Sequence, residues 1–152
     1  MTHAGPRSRL PLLAFVGAVC ACLAGCSTVS DAQAERGTGE TALYRAPFAT
    51  VWHAAVTVVE QSELELLSAD EATGEILAHK GLSPLSAGEN VAIYVEPVTT
   101  RDEPPTSVEV VSVRAMAHHV LATDWGPVLQ KALRERLIAR GIMPAAASSP
   151  RE

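Results

Sequence analysis

The sequence predicts an α+β domain: a two-layer sandwich of two helices on an antiparallel sheet, in the order βαββββα. Three observations carry this expectation. Two stretches, near residues 47–61 and 124–140, place apolar residues at the helical period. The segments between them alternate, or run apolar, over strand lengths. Finally, Asp70-Glu71-Ala72-Thr73-Gly74 is a turn-like sequence between two such strands and reads as a hairpin.

Thr41–Arg45 is a short extended segment leading into the first helix, where Pro47 suits the first turn. At 100° per residue, Phe48, Val51, Trp52, Ala55, Val56, Val58 and Val59 fall within one arc of about 160°, opposite Thr50, His53, Thr57 and Glu60. This helix, Pro47 to Gln61, is rich in β-branched residues with weak helical preference, so packing must hold it. Glu63–Ala69 and Glu75–Lys80 form the hairpin strands. In Asn90–Val98, Val91, Ile93 and Val95 share one face, with Tyr94 and Glu96 on the other. Ser107–Ala117 is valine-rich, but its apolar set changes phase between Val110 and Val111, which requires either a bulge or burial on both faces. The connecting loops are Gly81–Glu89 and the polar, proline-bearing Thr99–Thr106. The last helix is capped at Thr123 or Asp124, carries Trp125, Leu129, Ala132, Leu133 and Leu137 as its stripe, and stops at Gly141. Arg136 lies within that stripe and must snorkel or meet an acidic partner. With both helices on one sheet face, the other face is left to solvent or to a partner.

Ahead of this domain lies a different kind of segment. Arg7 and Arg9 precede the apolar run Leu10–Leu23, interrupted only by Pro11, and small residues follow. As a helix the run would reach roughly 21 Å, short of the ~30 Å core of a bilayer, so it reads as a signal core rather than a membrane span. It ends in Leu23-Ala24-Gly25-Cys26, which resembles the lipobox of bacterial lipoproteins. That resemblance implies lipidation of the Cys26 thiol and recognition of Leu23, Ala24 and Gly25 by the processing enzymes. It also implies removal of residues 1–25. Ser27 rather than Asp at the next position implies, by similarity to Gram-negative lipoproteins, export to the periplasmic face of the outer membrane.

The expected division is therefore a cleaved signal (1–25), a lipidated cysteine with a flexible tether (26–40), the domain (41–143) and a frayed tail (144–152). The tether reading rests on Ser27–Glu40, which lacks apolar periodicity and is rich in Ser, Thr, Gly and charge. Cys20 and Cys22 leave with the signal, so no disulfide is available to the mature domain. Loss of Arg7 and Arg9 leaves ten Lys/Arg against 17 Asp/Glu, a net charge of −7, which argues against nucleic acid and against electrostatic docking on anionic lipid.

The domain itself resembles small α/β domains of bacterial envelope lipoproteins, including those of an accessory lipoprotein of the outer-membrane β-barrel assembly machine. The likeness rests on Y-x-x-P-F-x-x-V-W-x-A at Tyr44–Ala54, on D-x-x-x-G-x-I at Asp70–Ile76, and on the element order.

No catalytic motif stands out. His118 and His119 are adjacent near Asp124, but neighbours on an extended segment point apart, so solvated histidines are favoured over a metal site of His118 or His119 with Asp124. His53 sits on the polar side of its helix and His79 in the hairpin. Gly81-Leu82-Ser83-Pro84-Leu85 lacks the second glycine of a nucleophile elbow. Trp52 and Trp125 read as core before they read as pocket walls. Leu82 and Leu85 are either exposed contact residues or a cover for the core edge. No cofactor is expected. The expected function is that of a lipid-anchored, non-enzymatic interaction or accessory module with an envelope protein partner. The alternative is a binding domain for a small apolar or lipid ligand between sheet and helices.

Overall fold

The computed structural model describes residues 28–81, 88–99, 105–115 and 123–143. Its elements are α1 (Val29–Ala34), β1 (Glu40–Tyr44), α2 (Phe48–Glu60), β2 (Glu65–Asp70), β3 (Glu75–Lys80), β4 (Glu89–Pro97), β5 (Thr106–Arg114) and α3 (Trp125–Ile138). The five strands form one antiparallel sheet in the order β1-β5-β4-β3-β2. The α+β class, the antiparallel sheet and the sequence of its elements are those expected, with one further short helix at the start. No helix among the described residues is long and apolar enough to cross a membrane.

Strand alternation sorts the sheet into two faces. Val91, Ile93 and Val95 of β4 and Val108 and Val110 of β5 enter the main core with Val51, Trp52, Leu129 and Leu133 from the two long helices. Ala92, Tyr94 and Val111 form a second, smaller apolar cluster on the opposite face, flanked by Leu77 and Val113. The phase change in β5 is therefore burial on both faces. The β4–β5 register runs unbroken from Glu89↔Arg114 to Pro97↔Thr106. The bulge lies instead in β2, between Leu66 and Ser68, and leaves Leu67 46% exposed.

The expected tether needs correction from Thr28 onward. The Thr28 N–H donates to Asp31 Oδ2, opening α1, and Ala32 is fully buried against the second apolar cluster. A six-residue helix does not stand alone in water, so the sheet must hold it. Gln33 Nε2 donates to both Glu75 carboxylate oxygens at 3.0 and 3.1 Å. The Arg36 guanidinium pairs with Glu96 and lies 4.4 Å from the Tyr94 ring centroid. The N–H groups of Gly37 and Gly39 then converge on Glu109 Oε1 at 2.7 and 2.8 Å. Residues 28–39 thus form a strap across the outer face of the sheet. The composition reading missed it because one buried alanine makes no apolar period, and its remaining partners, Glu75, Tyr94, Glu96 and Glu109, are distant in the chain.

Candidate functional site

The helix layer is locked to the sheet by a buried polar cluster. Gln130 of α3, 1% exposed, donates from Nε2 to the carbonyls of Glu40 at 2.9 Å and Val108 at 2.8 Å, and so bridges β1 and β5. Its Oε1 accepts from the Tyr44 hydroxyl at 3.1 Å. Burial raises the pKa of the Tyr44 phenol against a lowering pull from Arg134, so the hydroxyl stays a donor at neutral pH. A Cβ on Gly126 would meet Asp124 Oδ1, the cap of α3, at 3.2 Å and the Glu40 side chain at 3.4 Å. Glu89, 1% exposed at the start of β4, accepts from the Thr123 N–H at 3.3 Å, just ahead of α3.

With α3 fixed in this way, a groove of about 580 Å³ opens between it and the C-terminal end of α2. Val58, Gln61, Glu63, Trp125, Val128 and Arg136 are among its lining residues. Trp125, 4% exposed, forms one end, with Lys80 Nζ 5.4 Å from its ring centroid. Lys80 also donates to Glu63 Oε2 at 2.5 Å, and this hydrogen bond and charge hold the Glu63 carboxyl below its usual pKa. Val128, 45% exposed, lies one turn further along α3. Arg136 lies at the far end, with Nη1 donating to Gln61 Oε1 at 3.0 Å rather than to an acidic partner. Among the described residues, three buried side-chain nitrogens lack a hydrogen-bond partner: Trp125 Nε1, Arg136 Nε and His79 Nδ1. Trp125 and Arg136 line the groove, but these two nitrogens are themselves closed off from solvent. The lining combines polar and apolar side chains.

The residues singled out in the sequence fall as follows. Leu23, Ala24, Gly25 and Cys26, the pair Leu82 and Leu85, and His118 and His119 all lie outside the described residues. Asp124 is described and caps α3, its Oδ1 accepting from the Gly126 N–H at 3.0 Å. His53 is exposed on α2, and His79 Nε2 lies 3.7 Å from Glu65 on β2. No group of three or more metal-ligating side chains occurs among the described residues. Trp52 is core, stacked on Phe48 at 6.0 Å between centroids.

The motif at Tyr44–Ala54 is therefore structural. It supplies the Tyr44 hydroxyl to Gln130, Pro47 at the cap of α2, and the Phe48–Trp52 stack. Sequence reasoning missed Gln130. It lies about 20° beyond the edge of the apolar arc of α3, and a polar residue at that margin was the available signal. No family model matches the chain, and no curated protein matches it.

Proposed function

We propose that the chain is a lipid-anchored lipoprotein of the bacterial cell envelope whose domain is a non-enzymatic interaction module on the periplasmic face of the outer membrane. The observation that carries this reading is the adjacency of two features. Leu23-Ala24-Gly25-Cys26 ends two residues before Thr28, the cap of the strapped helix α1. Two residues span at most about 7 Å, so a lipid on Cys26 would hold the strapped face of the sheet close to the bilayer. A free tether of the length read from composition would have wandered over about 20 Å. The net charge of −7 in the mature chain gives anionic lipid no purchase, so acyl chains would carry the membrane affinity. The groove between α2 and α3 belongs to the layer across the sheet from α1, and so would face the periplasm and its proteins. The alternative ligand reading has less room, since Trp52 at 4% and Leu133 at 2% exposure fill the layer between helices and sheet.

A Cys26→Ala variant tests the anchor. Metabolic labelling with a radioactive fatty acid should mark the wild-type chain in the membrane fraction. The variant should be unlabelled and released, with an unchanged melting temperature, because Cys26 precedes every described element of the fold. A variant that stays labelled in the membrane would contradict the proposal.

A further inference from the structure

Residues 28–38 are hydrogen-bonded to one another along their length but meet the sheet at few points. Within them, the Glu35 N–H donates to the Asp31 carbonyl at 3.1 Å. The Thr38 N–H and hydroxyl both donate to the Glu35 carbonyl, at 3.1 and 2.7 Å. Towards the sheet, Ala32 alone is buried, with Val29 and Gln33 half-buried. Arg36 and Glu96 pair at half-exposed positions, where an ion pair contributes little. The Gly37 contact with Glu109 is exposed as well. Beneath the strap lies an apolar row of cross-strand neighbours, Leu77, Ala92 and Val111, in which Ala92 is 0% exposed.

From Gly39 onward the chain is fixed. A Cβ on Gly39 would sit 2.4 Å from the Val110 carbonyl oxygen, and the ladder to β5 starts at Glu40↔Val110. Gly37 stands just before this fixed segment, with φ +92° and nothing within 4 Å of an added Cβ, which suits a pivot. We propose that residues 28–38 are a releasable strap, which lifts from the sheet as one unit about Gly37 while the domain from Gly39 onward stays folded. Local opening is cheapest where few apolar contacts are lost. The consequence for position rests on the anchor reading: with Cys26 lipidated, release lengthens the link to the bilayer from two residues to twelve. The reach rises from about 7 Å to about 40 Å. The closed strap keeps the domain at the membrane surface, and the open strap frees it to meet proteins further into the periplasm.

The test uses the full chain in its membrane fraction, labelled with N-ethylmaleimide and mapped by mass spectrometry. Ala92→Cys places a thiol under the strap, and Ala78→Cys places one at an equally buried position in the main core, as the control. The labelling rate reports the open population at each position. Ala92→Cys should label at least tenfold faster than Ala78→Cys. Gln33→Ala, at α1, and Glu109→Gln, at the glycines, should each speed labelling at Ala92→Cys about fivefold and leave Ala78→Cys unchanged. A ratio below ten overturns the proposal, since the strap would then open only with the whole domain. A response to neither variant, or to one end only, overturns release as a unit. Hydrogen exchange on the chain without these substitutions gives an independent reading. The amides of Ala32 and Gly37 should show matching protection, at least tenfold below that of Val95, and protection equal to Val95 overturns the proposal. The same mass spectra separate the two readings. Maleimide on Cys26 would refute the anchor, while the ratio between Ala92→Cys and Ala78→Cys would still decide the strap.

Discussion

Replacement of Gln130 by leucine is expected to destabilise the domain by about 3 kcal/mol, seen as a lower urea midpoint and a melting temperature reduced by roughly 10–20 °C. Leucine fills similar space, so the loss falls on hydrogen bonding. The carbonyl of Val108 and the hydroxyl of Tyr44 each lose a buried partner, and the carbonyl of Glu40 loses a part-buried one. Each orphaned group costs about 1–3 kcal/mol, with carbonyls at the low end because a second lone pair serves the strand ladder. Tyr44→Phe alone should cost about 1 kcal/mol, since it removes only the hydroxyl. The double variant should cost less than the two singles together, because the second change removes a group the first has already orphaned. Strict additivity would mean that the two side chains do not interact.

Gly74→Ala should be at least as damaging, by about 3 kcal/mol or more. Gly74 has φ +70°, a left-handed conformation that costs other residues about 1–2 kcal/mol. A Cβ there would also sit 2.2 Å from the Val95 carbonyl oxygen, in the backbone of a central strand that cannot yield. The same contact carries a hydrogen bond from the Val95 N–H to the Gly74 carbonyl at 2.8 Å, which seats the hairpin on β4. Gly141→Ala is the internal control, with φ +79° and open space around the added methyl. It should cost only the conformational part, about 1 kcal/mol. Equal losses at the two positions, measured by urea unfolding, would show that the contact with Val95 is not what demands glycine.

The sequence revealed elements wherever apolar period decides structure, and hid them wherever polar partners do. The alternation of Val91, Ile93 and Val95 placed β4 and its core face correctly, and the arc from Phe48 to Val59 placed α2. β5 was ambiguous because a central strand covered on both faces has no single period: Val108 and Val110 face α2 and α3 while Val111 faces α1. The strap was invisible for the same reason in reverse. It buries Ala32 alone and depends on Gln33, Arg36 and two glycine N–H groups meeting Glu75, Glu96 and Glu109, residues distant in the chain. The groove was half legible. Trp125 and the anomalous Arg136 were evident on the stripe of α3, but only the packing of α2 against α3 shows that they line one groove.

A lipid anchor at Cys26, as proposed, would orient everything else, setting the strapped face towards the bilayer and the groove towards the periplasm. The intact mass of the chain purified from the membrane fraction tests it most directly. The expected species begins at Cys26, lacks residues 1–25 and carries the added mass of a diacylglyceryl group on its first residue. A chain that keeps residues 1–25, or that begins elsewhere with an unmodified thiol at Cys26, would contradict it.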